Sequence, residues 1–376
     1  MKDWTAIVFS DPHLDYSAGY KTIDGVNMRE LDFRDAFAFC TQKVQELKPD
    51  FVINAGDLFE RVRPSSRTTT FAINQHRIMG KVAKMVIVDA GNHCTPKTTS
   101  TGHIFSVMDE AFHFQQNVVF VHGDMRVIPI SSIDVVVHVI PYVDTQEQFD
   151  QYMDSIVTVK ECYNIIVAHT NVATPDCPVS GAQCVLRMDK IPDNARLTIV
   201  GHNHNQHYIY PNPGTDKLVL IPGGTERGGF DEAAPCYAYH IKYSAAMDSI
   251  SIDAIPIPTR PMIDSPPIDL STLNPAEATD SICNYIESLP SKDLLLRINI
   301  IGMRKDLHAS INWGQIKSVL MGSPYYKFNI KTIDMEMIGN GTSSRVDLVS
   351  MWMEYSAGQP QEIIDMGTSM MEEDDK

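Results

Sequence analysis

A chain of 376 residues, 43% hydrophobic and 21% charged, is long enough for one large core plus a smaller satellite and has the composition of an ordinary globular protein. No run of about 18 apolar residues is present, which excludes a membrane-spanning helix, and the N-terminus lacks a signal-peptide pattern, so a cytoplasmic protein without a membrane partner is expected. A formal net charge of −16 excludes a surface that grips nucleic acid everywhere, and seven Cys without a Cys-x-x-Cys pair point to a reducing compartment and mostly buried thiols.

Residues 5–10 (TAIVFS) form a short β-branched run that ends at Asp11-Pro12-His13. On an extended backbone this carboxylate and imidazole lie on one side, within reach of one cation. Residues 31–47 repeat apolar side chains at Phe33, Phe37, Cys40, Val44 and Leu47, a helical period that Lys48-Pro49 stops. Residues 51–54 predict a second buried strand, ending at Gly56-Asp57. Strand, helix and strand with polar sites at carboxyl ends follow the logic of an open α/β sheet. A helix is predicted over 66–80, then a strand over 85–89 that ends at Gly91-Asn92-His93. Strands follow at 118–121, at 133–140, and at 164–168, where the run ends in His169. The apolar run 197–200 ends at Gly201-His202-Asn203-His204, two imidazoles that can face one metal where glycine permits a sharp turn. The alternating runs 217–221, 237–243 and 249–255 predict a second sheet packed on the first.

Five prolines between 256 and 267 mark a linker or edge strand. Beyond it, helical patterns at 276–289 and 311–321 and strand patterns at 294–301 and 326–337 predict a small α+β domain. The divisions expected are 1–258, 259–340 and 341–376. In the last, residues 343–357 carry Leu348, Trp352 and Tyr355 at helical spacing, a short apolar helix suited to a partner, followed by an acidic tail. Basic charge is segregated. Residues 61–88 sum to +6 and 291–331 to +5, leaving −27 for the remainder, which suits a polyanion held on two restricted surfaces.

Any one strand-end residue has a bland explanation as a turn cap or a core histidine, but five successive strand ends would each need such an accident. The order Asp-x-His, Gly-Asp, Gly-Asn-His, His, Gly-His-x-His resembles the calcineurin-like metallophosphoesterase superfamily across about residues 5–255. Gly56-Asp57-Leu58-Phe59 followed by Arg63-Pro64-Ser65 is similar to the SbcD-type DNA double-strand-break nuclease subunits of bacteria and phages.

The resemblance implies an α/β fold: a two-sheet α-β-β-α core, a small α+β capping domain and a C-terminal partner-binding helix. It implies that Asp11, His13 and His204 hold one metal, that Asn92, His169 and His202 hold another, and that Asp57 bridges them. His93 would contact the phosphate and protonate the leaving oxygen. The cofactors implied are two divalent ions, manganese first, with magnesium, iron or zinc as alternatives. The implied activity is exo- or endonucleolytic cutting of DNA in repair, recombination and replication. The implied partners are DNA, an SbcC-like coiled-coil ATPase docked on Leu348, Trp352 and Tyr355, and a second copy in a homodimer within a heterotetramer. Arg61, Arg63, Arg304 and Lys305 are the expected DNA contacts.

Two departures matter. Cys94 stands where the superfamily commonly has Asp, which alters the support of the ligands. Glu60 stands where SbcD-like subunits often carry His, and an anionic side chain near a phosphate would repel it. A phosphatase or phosphodiesterase for a small molecule or phosphoprotein, or a catalytically impaired scaffold, are the alternatives, since a metal constellation alone does not choose a substrate.

Overall fold

The computed structural model describes residues 1–332 apart from 20, 174–183, 206–207, 212–216, 233–234 and 292. Its principal elements begin with β1 (Trp4–Phe9), α1 (Met28–Leu47), β2 (Phe51–Asn54), α2 (Ser66–Val82), β3 (Met85–Asp89), α3 (Ile104–Ala111) and β4 (Val118–Val121). There follow β5 (Arg126–Ile130), β6 (Val135–Ile140), α4 (Gln146–Ser155), β7 (Tyr163–His169), β8 (Ala195–Gly201), β9 (Tyr208–Pro211) and β10 (Leu218–Ile221). The chain continues through β11 (Tyr237–Ser244), β12 (Ser249–Pro256), β13 (Met262–Asp264), β14 (Ile268–Asp269) and α5 (Pro275–Glu287). Last come β15 (Leu295–Met303), α6 (Lys305–Ser310), α7 (Trp313–Val319) and β16 (Tyr325–Thr332).

Local chemistry sets the helix ends. The Asn27 side chain accepts from Arg29 N to start α1, and Lys48 closes it in a left-handed conformation before Pro49. Ser65 caps α2 by accepting from Thr68 N.

Two six-stranded sheets form the core, in the orders β12-β11-β1-β2-β3-β4 and β9-β10-β8-β7-β6-β5. In the first, β1 to β4 are parallel and β11 returns antiparallel to β1. In the second, β6, β7, β8 and β10 are parallel, with β5 and β9 antiparallel at the edges. Strand alternation sends one set of side chains to each face. Ile7, Phe9, Val52 and Val88 meet Phe37, Met79 and Phe105 of the helices. Trp4, Val8, Phe51 and Ile53 meet Val137, Ile165, Ile199 and Leu220 of the other sheet. On its outer face the second sheet packs Ile166, Val200 and Val219 against Phe149 and Met153 of α4. The result is the α-β-β-α layering expected.

The strands at 237–243 and 249–255 were expected in the second sheet, yet β11 and β12 extend the first. Tyr243 lies opposite Trp4 and stacks on it at 5.6 Å, so Tyr239, Ile241 and Tyr243 complete the layer between the sheets from the first sheet's side. The expected helix over 311–321 is also interrupted. Ile311 is extended and Asn312 caps α7 by accepting from Gln315 N, a local bond that competes with helix continuation.

After Pro261, β15 is flanked by β13 and β14 on one side and β16 on the other, all parallel to it. This third sheet has its own core, with Leu296, Ile298 and Ile300 against Ile282, Ile286, Leu307 and Ile316. Its tether to the two-sheet core is charged. Arg260 pairs with Asp32 at 2.7 Å and also with Asp293. The expected strand over 326–337 is seen as far as Thr332, and the rest of it lies outside the described residues, as does the expected terminal helix. Among the described residues no helix is long and apolar enough to cross a membrane. Cys40, Cys94, Cys184, Cys236 and Cys283 are buried free thiols, as expected.

Candidate metal centre

The carboxyl ends of β1, β2 and β3 from one sheet and of β7 and β8 from the other open onto one place. Asp11, His13, Asp57, Asn92, His169, His202 and His204 are brought together there. The backbone at Asp11-Pro12-His13 is not extended, as the sequence pattern had implied. Asp11 and His13 have φ of 52° and 40°, because their N–H groups donate to Gly56 O at 3.1 Å and Asp57 O at 3.0 Å and turn the chain sharply. Asp57 (φ 44°) and His202 (φ 97°) are also left-handed, and such strained non-glycine positions gather where the surroundings over-determine them. The close approach of the strand ends explains Gly91: a β-carbon there would overlap the Asp57 carboxylate.

Hydrogen bonds fix which imidazole nitrogens face inward. His13 Nδ1 donates to Glu60 Oε2 at 2.8 Å, His204 Nδ1 to Glu232 Oε1 at 3.0 Å and His169 Nδ1 to Ala55 O at 3.0 Å. Each Nε2 is therefore turned toward the centre, the arrangement that outer partners impose on metal-binding histidines. His13 Nε2 and His204 Nε2 lie 2.9 Å apart, with Asp11 Oδ1 at 3.9 and 3.6 Å from them. Once His204 gives up its proton, two facing ring nitrogens beside a buried carboxylate form a donor set that fits a cation. On the other side Asn92 Oδ1 is 3.2 Å from His169 Nε2 and 3.0 Å from His202 Nδ1. Asp57 Oδ2 stands between the two groups, 3.1 Å from His169 Nε2 and 3.9 Å from His13 Nε2. Oxygen and imidazole donors with no thiolate suit a first-row divalent ion.

The charges are consistent with this. Burial opposes ionisation of Asp11 and Asp57, but the surrounding imidazoles hold both below the usual carboxylate range. Burial likewise pushes His169 and His204 down, and is outweighed by Asp57 and Asp11 at His169 and by Asp11 and Glu232 at His204. The results are about 9 and about 11. Burial keeps His202 at about 4, hence neutral.

Glu60 does not present a free negative charge to a phosphate. Its carboxylate accepts from His13 and lies 3.4 Å from His93 Nδ1, which also donates to Glu60 O at 2.9 Å. Burial raises Glu60, yet these bonds bring it to about 2, and in turn Glu60 lifts His93 to about 9. His93 N donates to Asp57 Oδ1 at 2.9 Å, and its half-exposed ring packs edge-on to His13 at the rim. Cys94 is buried in the hydrophobic cluster with Leu58 and Phe59. Phe59 N donates to its sulfur at 3.3 Å, and burial pushes its thiol well above the usual value.

Arg61 Nε pairs with Asp15 at 3.3 Å, while Arg63 is exposed at the start of the basic segment. Arg304 donates to the Ser271 and Leu273 carbonyls, which ties its guanidinium into the third-sheet unit, and Lys305 is exposed on α6. Leu348, Trp352 and Tyr355 lie outside the described residues. Glu232 was missed. Its signal was one more strand end in the same sheet, β10, running into the Gly-rich turn at 223–229.

Residues 5–206 match the family described as calcineurin-like phosphoesterase. The DNA double-strand break repair protein Mre11 of Methanocaldococcus jannaschii is 35% identical over 88 residues, 23% of each chain. The protein of the same name from Thermoplasma acidophilum is 27% identical over 233 residues, covering 58% of this chain and 55% of its own. The chain thus spans between a quarter and about half of the curated relatives it matches. Among solved structures, a dimetal phosphatase from Danio rerio is similar with a TM-score of 0.42 and 9% identity, over 68% of this chain and 98% of that one.

Proposed function

The chain belongs to the calcineurin-like phosphoesterase family, and from this premise we infer that it is a metal-dependent phosphodiesterase that cuts DNA, the nuclease subunit of an SbcCD-like repair complex. Asp11, His13 and His204 would hold one divalent ion, Asn92, His169 and His202 a second, with Asp57 shared. Two such cations polarise a phosphodiester and lower the pKa of bound water, and manganese is the ion we assign first. His93 is the general acid. Glu60 keeps its ring oriented and protonated, so that Nε2 can give its proton to the leaving oxygen. Asp11 further steadies the His202 turn by accepting from His202 N at 3.1 Å.

The observation that carries the reading is the facing pair of His13 and His204 nitrogens beside Asp11 and Asp57, with His93 at the rim. The double-strand break repair relatives support DNA as substrate. An SbcC-like coiled-coil ATPase as partner, with Leu348, Trp352 and Tyr355 as its contacts and a homodimer within a heterotetramer as the assembly, is carried into the proposal by the resemblance of the sequence alone. The division into a core of residues 1–258, a cap of 259–340 and a partner-binding terminus of 341–376 belongs to the same proposal.

The test is a nuclease assay on linear single- and double-stranded DNA with manganese, using wild type and His93→Ala, each with and without the ATPase. Cutting that His93→Ala abolishes while metal content is kept is the expected result. Turnover of small phosphoesters without DNA cutting would replace the substrate, and failure on every phosphoester at full metal occupancy would leave a scaffold.

A further inference from the structure

The loop over residues 225–232 ends on the metal centre. Its first half is anchored on the two-sheet core, where Arg29 of α1 pairs with Glu226 at 3.4 Å and donates to Arg227 O and Tyr16 donates to Gly228 O. Its second half is gripped by the third-sheet unit. Glu232 Oε1 accepts from His204 Nδ1, and its other oxygen accepts from Gly228 N at 2.7 Å. Two residues before Glu232, the Phe230 ring lies between two groups of the third-sheet unit. The Arg297 guanidinium is 5.2 Å from its centroid, and the Tyr325 ring is stacked at 6.2 Å with 29° between planes. Arg297 also pairs with Asp231 at 3.3 Å and is itself fixed by a two-pronged bond to Asp264 at 2.9 and 2.6 Å. Earlier in the loop, Arg227 donates to Arg260 O at 2.7 Å, on the tether between the units. Tyr325 touches the other site loop as well. Gly19, at φ +72°, leaves room for its ring, and a β-carbon there would approach Cδ2 to 2.5 Å.

We propose that this loop reports the position of the third-sheet unit to His204, so that Phe230, Arg297 and Tyr325 are positioning residues for the cation held by Asp11, His13 and His204. A carboxylate that accepts from the outer nitrogen of a ligating imidazole sets its orientation and basicity. Glu232 is such a group, and it follows directly on the two residues gripped by Arg297 and Tyr325. Displacing that unit drags Phe230 and Asp231 and turns Glu232 off His204. The other cluster is insulated, because His169 is tied to Ala55 and Asn92 within the two-sheet core. The inference rests on the metal reading above and adds a control surface to it.

The experiment is a manganese titration of the full chain by calorimetry, with free Mn²⁺ counted by electron paramagnetic resonance. Wild type shows two binding events. Tyr325→Ala and Phe230→Ala weaken one event on the order of tenfold and leave the other unchanged, and Glu232→Gln weakens the same event. Tyr325→Phe, which keeps the ring, retains both affinities. Cobalt substitution gives a second readout, a changed visible absorption for one site only. Thermal melts establish that the variants are folded, and Phe230→Ala, in a half-exposed loop position, serves if Tyr325→Ala is not. Unchanged affinities in both alanine variants beside a weakened Glu232→Gln overturn the linkage and leave the metal reading standing, as do equal losses at both sites. A wild type that takes up no manganese overturns the metal reading and the linkage with it.

Discussion

At the rim of the centre, His93 and Glu60 behave as one unit. Because Glu60 lifts His93 to about 9 from an ordinary 6.5, the imidazolium form is the one the fold favours. The sign follows: this pair stabilises the fold fully between about 4.5, the ordinary value of Glu60, and about 6.5, loses its contribution as pH rises through about 9 and loses it again as pH falls through about 2. In metal-free protein, Glu60→Gln should bring the His93 titration, followed by ring-proton NMR, down toward the ordinary value; a titration still near 9 would assign the shift elsewhere. His169 and His204 are raised to about 9 and about 11, so the metal-free centre holds protons at pH 7 that a cation must displace. Manganese affinity should therefore climb with pH through about 9, and calorimetry at pH 7 in buffers of different ionisation enthalpy should differ in heat. Identical heats would contradict the assigned protons. Asp11, His13, Asp57, Asn92, His169, His202 and His204 were legible as residues because each follows an apolar run. The partner of His204 was not, since Glu232 is reached through a turn of glycines that carries no periodicity. Glu60 was legible but misread, because only its distances to His13 and His93 show where its charge goes.

Strands are where sequence pattern served best and sheet membership is where it failed. Runs such as 51–54 and 85–89 are apolar on both faces, which marks central parallel strands, and β2 and β3 lie inside the first sheet. The same periodicity at β11 says only that a strand is present. Its partner was chosen by Trp4, whose indole meets Phe51, Tyr163 and Tyr243 at 5.3, 5.0 and 5.6 Å, the last of them more than two hundred residues away along the chain. Trp4→Ala should accordingly cost about 3–5 kcal/mol in chemical denaturation. A loss under about 1 kcal/mol would mean the ring is not central to the layer between the sheets. In the third-sheet unit the capping box of Asn274 and Glu277 starts α5, and Asn274→Ala should lower stability by about 1 kcal/mol.

Over the whole molecule the net charge of −16 opposes a DNA ligand, so the proposed DNA binding would draw on the restricted basic segments. Arg63, just before α2, and Arg67, in its first turn, are exposed, whereas Arg304 is engaged with carbonyls of its own unit. Arg63→Glu with Arg67→Glu should weaken DNA binding and flatten the plot of log affinity against log salt by about 2. An unchanged slope would remove that segment from the interface. The position of β1 has a consequence of another kind. It is translated long before β11, yet it sits between β2 and β11, and β11 is made only after residue 236. A chain halted before then would already contain every candidate ligand while one side of β1 offered its unpaired N–H and C=O groups to any passing strand. Newly made protein should therefore depend on chaperones until β11 is synthesised, and fragments ending before residue 237 should aggregate.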